Sequence, residues 1–166
     1  MSVSKLYMAY GSNLNMAQMR RRCPDAKVAG TGELKNYELV FRGGVRGVAT
    51  VEPREGGTVP VLLWRISPRD ERALDAYEGY PRLYEKETLT PEVEGEPCPV
   101  MAYMMTPGHA PALPSPGYLR TIQEGYEDCG FSPAALEAGV SRTLELIHRE
   151  PEWEEDLEKT YRFQGW

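Results

Sequence analysis

Cysteine is scarce. Cys23, Cys98 and Cys129 are the only three in 166 residues. No two stand at the spacing of a metal pair or a redox Cys-x-x-Cys, and an odd, sparse count argues for a reducing compartment. All three read as small apolar residues. Histidine is scarcer still, with His109 and His148 far apart in sequence, so no zinc-ligand cluster is spelled out along the chain. Long apolar runs are missing too, and none approaches the roughly 18 residues of a membrane-spanning helix. The first residues lack the charged-then-apolar pattern of a secretory leader. Positive charge is in deficit: the formal net charge is −6, and the one basic run, Arg20-Arg21-Arg22, reads as a solvated helix face. An acidic chain without a basic face is a poor nucleic-acid binder. The expectation is a cytoplasmic protein, monomer or homodimer, with no metal, cofactor, nucleic-acid partner or membrane segment.

The length fits one domain, 1–166, large enough to bury a core unaided, with the acidic stretch 151–166 as a C-terminal arm. Short strand signals fill the first half: Lys5–Tyr10, Tyr37–Phe41, Gly47–Glu52 closed by Pro53, and Val59–Ile66 after a Glu55-Gly56-Gly57 turn that reads as a hairpin. Ser67-Pro68-Arg69-Asp70 is a capping box opening a helix with Leu74 and Tyr77 toward the core, and Gly79 closes it. Tyr84–Val93 and Pro99–Met105 read as further strands, and Pro107–Pro116 as a stiff loop. Two helices follow. One runs from Ser115-Pro116 to Gly130, the other from Ser132-Pro133 with Leu136, Val140, Leu144 and Ile147 on one face. The fold class is α+β, a small curved, barrel-like mixed sheet of five to six strands with helices around it.

Two local features carry chemistry. Tyr7-Met8-Ala9-Tyr10-Gly11-Ser12-Asn13-Leu14 reads as a strand, a tight Gly-Ser-Asn turn and a helix start, an order that gathers backbone N–H groups where an anion can sit. Ser12 or Asn13 alternatively caps the following helix. Ser12 lacks the flanking glycines of a nucleophile elbow. Leu74-Asp75-Ala76-Tyr77-Glu78-Gly79 puts Glu78 at a helix C-terminus, where the macrodipole opposes an anion and Tyr77, Tyr80 and Tyr84 stand near in sequence. Both effects push a carboxyl toward a useful general base; the alternative is a solvated glutamate beside a glycine cap. Tyr103 reads as a core aromatic on a strand.

Together these residues resemble the γ-glutamylcyclotransferase family, whose N-terminal signature Tyr-Phe-Ala-Tyr-Gly-Ser-Asn-Leu departs from Tyr7–Leu14 only at Met8. Leu74–Gly79 matches its Leu-Asp-x-x-Glu-Gly segment, and Gly47–Val51 and Pro114–Leu119 look like two further family stretches. The resemblance implies a pocket in which Tyr10, Gly11, Ser12, Asn13 and Leu14 hold a small-molecule γ-glutamyl substrate, Tyr103 lines the wall and Glu78 is the catalytic base. It implies cofactor-independent release of 5-oxoproline and a free amine or amino acid. Gly-Ser-Asn in place of the Gly-Ser-Leu of the glutathione-specific branch argues against glutathione as the main substrate. A γ-glutamylamine cyclotransferase, a metabolite-deprotecting relative, a non-catalytic carboxylate-binding module and a serine hydrolase using Ser12 are the competing readings.

Overall fold

A computed structural model describes residues 3–149; the arm expected at 151–166 lies outside the described residues. In chain order the elements are β1 (Lys5–Ala9), a 3-10 turn (Ser12–Leu14), α1 (Met16–Arg22), β2 (Lys27–Gly43), β3 (Gly47–Ile66), α2 (Pro68–Glu78), β4 (Tyr84–Leu89), β5 (Glu92–Val93), β6 (Glu96–Pro97), β7 (Val100–Met105), β8 (Ala110–Pro111), α3 (Pro116–Cys129) and α4 (Ala134–Arg149). The strands form one sheet in the order β4-β7-β1-β3-β2-β5-β6, with β8 on the end of β2. β1 runs antiparallel to β3 and parallel to β7, so the sheet is mixed, and it curls into a half-barrel. Of its eight strands, β5, β6 and β8 are two residues each; the other five make the frame.

The hairpin expected at Gly56-Gly57 is not there. Gly47–Ile66 is one strand of 20 residues, paired with the 17-residue β2 over Gly47–Pro53 and Thr58–Arg65, with residues 54–57 outside the ladder. The irregularity is absorbed as register shifts at Val28/Gly30 and Lys35/Tyr37, with Asn36 at φ 62°. Bulges of this kind bend a long ribbon and let the sheet curl. β1 pairs β3 only from Leu62 to Ile66, which leaves an edge where Pro53 and Pro60 are tolerated. The real reversal is the Gly44–Arg46 turn. The strand expected over Tyr84–Val93 is split into β4 and β5.

The helix leading to Glu78 is fixed at both ends by local chemistry. Ser67 Oγ accepts the Asp70 N–H at 3.1 Å and Asp70 Oδ2 accepts the Ser67 N–H at 3.1 Å. Gly79 takes φ 65°, ψ 35°, a left-handed cap that a Cβ would penalise. Leu74 anchors α2 in the core, but Tyr77 is 42% exposed and does not join it. The core, including Met8, Leu14, Phe41, Leu62, Leu74 and Ile122, lies between the sheet and its helices. On α4 the face runs through Leu136, Gly139 and Thr143, and Leu144 is 38% exposed. Thr143 replaces an expected apolar contact by accepting the Phe41 N–H at 3.0 Å.

Candidate active site

β1, the Ser12–Leu14 turn, the end of α2, the start of β3, β4, β7 and α3 enclose a cavity of about 230 Å³. Tyr10, Gly11, Ser12, Asn13, Glu78 and Tyr103 all line it. Leu14 does not: it is fully buried, pressed under α3 where a Cβ on Gly125 would stand 2.7 Å from its own. Its part is to seat the turn rather than to meet a ligand. Tyr77 and Tyr84, expected near Glu78, are in the wall, which also holds residues that the sequence left unassigned, Tyr7, Met8, Val48, Ala49, Leu83 and Tyr118. Tyr80 stays out, 41% exposed, with the Lys86 ammonium 4.3 Å from its ring centroid.

The turn is held from several sides. Leu14 and Asn15 donate their N–H groups back to Gly11 and Ser12 carbonyls at 3.1 Å, which leaves the Gly11, Ser12 and Asn13 amides outside the turn's own bonding, as at any helical start. Trp64 Nε1 donates to the Asn13 carbonyl at 3.0 Å. The cap of α1 is Asn15, whose side chain accepts the Gln18 N–H at 3.1 Å; neither Ser12 nor Asn13 serves as one. Ser12 Oγ lies 2.8 Å from the Tyr77 hydroxyl. No histidine lines the cavity, so Ser12 has no imidazole to activate it.

Six of the ten tyrosines line this cavity, and their hydroxyls mostly bind protein. Tyr10 donates to the Tyr103 carbonyl at 2.6 Å, Tyr84 to the Ala49 carbonyl at 2.5 Å, and Tyr103 to Asp75 Oδ1 at 2.6 Å, while Tyr118 accepts the Ala49 N–H at 3.0 Å. Asp75 is in turn bound by Lys86, which also binds Glu71. Burial pushes the hydroxyls of Tyr7, Tyr10, Tyr84, Tyr103 and Tyr118 well up, so they are neutral at physiological pH.

Among the described residues Glu78 is the only carboxylate in the wall, and no Lys or Arg lines it. Its side chain is half-buried, with the cavity as its opening. Burial lifts its pKa from the ordinary 4.5 to about 7, against the pull of the nearby Arg22 charge. Asn13 Nδ2 donates to Glu78 Oε1 at 3.4 Å and to the Tyr7 hydroxyl at 2.8 Å. Arg22 is not part of a solvated face: it is half-buried, donates to Asn13 Oδ1 and Gln18 Oε1, and lies 3.4 Å over the Tyr77 ring centroid. Among the described residues no group of three metal-ligating side chains exists. The geometry thus offers one raised carboxyl beside a bend whose leading amides take no part in the turn's own bonding, in an aromatic cavity with no other charged side chain among the described residues.

The family described as Gamma-glutamyl cyclotransferase, AIG2-like matches residues 7–125. The Gamma-glutamylcyclotransferase of Mus musculus is 30% identical over 136 residues, 76% of this chain and 72% of that protein. The Gamma-glutamylcyclotransferase of Homo sapiens is 29% identical over 138 residues, 77% of this chain and 73% of that protein. A solved structure titled Gamma-glutamyl cyclotransferase superposes with a TM-score of 0.70 at 25% identity, covering 87% of each chain.

Proposed function

This chain belongs to the gamma-glutamyl cyclotransferase, AIG2-like family, and we propose that it is a γ-glutamylcyclotransferase with Glu78 as its general base and acid. The reaction is an internal aminolysis. The substrate's α-amine nitrogen bonds to its own γ-carbonyl carbon, the γ-amide C–N bond breaks, and 5-oxoproline and a free amine leave. Nucleophile and electrophile share one molecule, so a correctly folded substrate reaches effective molarities of about 10⁵ M or more. What blocks closure at neutral pH is the proton on the α-ammonium.

Glu78 removes that block. The substrate's α-ammonium stands beside its own free carboxylate and holds its proton beyond the roughly pH 8 of a peptide N-terminus, whereas an ordinary glutamate titrates at roughly 4.3. A carboxyl raised from 4.5 to about 7 closes roughly two and a half units of that gap. At 1.36 kcal/mol per unit the rise makes proton capture easier by about 3 kcal/mol. The same carboxyl then gives the proton to the departing nitrogen. The amides of the Gly11–Asn13 bend hold the substrate's carboxylate or the developing oxyanion, and one such oxyanion donor is typically worth about 3 kcal/mol. The single observation that carries this reading is that the raised Glu78 carboxyl lines the same cavity as that bend, with Asn13 Nδ2 3.4 Å from Glu78 Oε1.

The test is a panel of γ-glutamyl amino acids and γ-glutamylamines, assayed for 5-oxoproline and free amine in equal amounts. Release from at least one class is expected, with glutathione a poor substrate; no release from any member overturns the reading. Ser12→Ala is expected to keep activity within about tenfold of the parent, since Ser12 forms no covalent bond and its hydroxyl lies against tyrosine hydroxyls, Tyr77 at 2.8 Å among them. Complete loss in a folded S12A protein would revive a nucleophilic serine, which a covalent serine probe would then label.

A further inference from the structure

We propose that Arg22 is the positioning residue of this site: it sets the Asn13 amide with its NH2 toward Glu78 and clamps the Gly-Ser-Asn bend to the helix end that carries the base. This rests on the reading of Glu78 as the base. Arg22 ends α1 and lies outside the cavity wall, so it has no direct hold on a substrate there. Its reach into the site is through Asn13 and Tyr77, with Gln18 bracing it from its own helix. One guanidinium nitrogen donates to Asn13 Oδ1 and another to Gln18 Oε1 at 3.0 Å. The guanidinium plane covers Tyr77 at 3.4 Å, and Tyr77 meets Ser12 at 2.8 Å. Tyr77 immediately precedes Glu78 on α2. One side chain thereby ties the bend, at Asn13 and Ser12, to the last turn of α2.

Donor chemistry makes the amide orientation obligatory. A guanidinium carries five N–H donors and no acceptor, so Asn13 must turn its oxygen to Arg22. Its NH2 is then left for Tyr7 and Glu78. The flipped amide would set NH2 against guanidinium and carbonyl against carboxylate. Without Arg22 both orientations become available and the second removes the only side-chain donor to the Glu78 carboxylate among the described residues.

The charge acts in the same direction. The groups facing Glu78 are Tyr7 and Tyr10 from β1 and its exit, Ser12 and Asn13 from the turn, Tyr77 from its own helix, Tyr84 from β4, Tyr103 from β7, Tyr118 from α3 and Arg22 from α1. Burial keeps the Tyr7, Tyr10, Tyr84, Tyr103 and Tyr118 hydroxyls protonated. Arg22 pulls the Glu78 carboxyl down against burial, which holds its titration near neutral rather than above it.

The experiment uses the full chain with Arg22→Met and Arg22→Lys. The first readout is ¹³C NMR titration of the Glu78 side-chain carboxyl, assigned by its loss in Glu78→Gln, which needs no turnover. The second is kcat and KM against pH with a γ-glutamyl substrate. In R22M the midpoint is expected to rise by about one pH unit or more, with kcat at pH 7 down about 10–100-fold, partial recovery at pH 9 and KM within about threefold. In R22K the point charge stays but the fork and the stacking go, so the midpoint is expected near the parent value while kcat still falls. An unmoved midpoint in R22M overturns the proposal, as does a loss equal at every pH that tracks a lowered melting temperature. An R22K protein with parental kcat overturns the amide-setting part. If the parent itself releases no 5-oxoproline, the functional reading fails, and the NMR titration still decides whether Arg22 governs this carboxyl.

Discussion

Glu78→Gln is expected to lose about 10³-fold or more of 5-oxoproline release while the protein becomes more stable. The loss follows from the role: glutamine neither takes the α-ammonium proton nor returns one, and general acid–base catalysis by a placed side chain is typically worth 10²–10⁴. The parental kcat/KM is expected to climb with a limb at about pH 7, set by the Glu78 carboxyl, and E78Q is expected to lack that limb. Residual activity within tenfold of the parent, with the limb retained, would remove Glu78 from the mechanism.

The gain in stability follows from linkage, and its sign is fixed by the direction of the shift. Glu78 has its folded pKa raised from the ordinary 4.5 to about 7. Between those values the native state keeps a proton that the unfolded chain has released, so stability falls as pH rises through that window. Above about pH 7 the full cost of a desolvated anion is present, about 3 kcal/mol at 1.36 kcal/mol per unit. Glutamine carries no charge to desolvate. At pH 8 E78Q should therefore melt higher than the parent, by up to roughly 6–12 °C for a chain of this length, and the gap should close by about pH 4.5. Equal melting temperatures at both pH values would mean that the carboxyl is not desolvated. A site residue whose removal stabilises the fold is the usual sign of strain kept for function.

The site was legible where its grammar is local. Ser67, Asp70 and Gly79 fix both ends of α2 through bonds spanning three or four residues, so the place of Glu78 at a helix end could be read directly. The Gly-Ser-Asn bend was local in the same way. Arg22 was not legible. Its neighbours Arg20 and Arg21 are exposed, and what separates it from them is its hydrogen bond to Asn13 and its contact with Tyr77, which α2 brings in. Tyr118 was equally hidden, because it finds its place through Ala49, far away in sequence, whereas Tyr84 was near enough to Glu78 along the chain to be read. The long β2–β3 ribbon defeated the turn rules for a similar reason. Gly56-Gly57 satisfies a hairpin pattern, but continuous pairing of β3 with β2 on both sides of it outweighs that local preference. Leu14 shows the converse: a motif residue can belong to the core beneath a site rather than to its surface.

Gly47→Ala is the substitution expected to cost most stability, although it adds one methyl group. The reason is space rather than backbone angle. A Cβ at Gly47 would stand 1.8 Å from the Ala112 carbonyl oxygen and 2.7 Å from its carbon. No side chain can swing aside there, because the obstacle is backbone held in place. Gly47 N–H donates to the Leu113 carbonyl at 2.9 Å, Ala112 N–H donates to the Phe41 carbonyl at 3.1 Å, and β8 pairs with Arg42 and Gly43. Relief requires the 110–113 segment to leave the hairpin and give up those bonds together. Overpacking ordinarily costs 1–3 kcal/mol and sometimes more; with backbone as the obstacle, about 3 kcal/mol or more is expected, a drop in melting temperature of roughly 6–12 °C. The damage should also reach the cavity. Val48 and Ala49 follow Gly47 directly and form its wall, and Ala49 anchors both the Tyr84 and Tyr118 hydroxyls. Thermal melts, together with kcat/KM measured well below the lowered transition, check both effects. A melting temperature within about 1 °C of the parent would mean that the Ala112 segment yields freely, and that the Gly47–Ala49 stretch is not held by the loop packed on it.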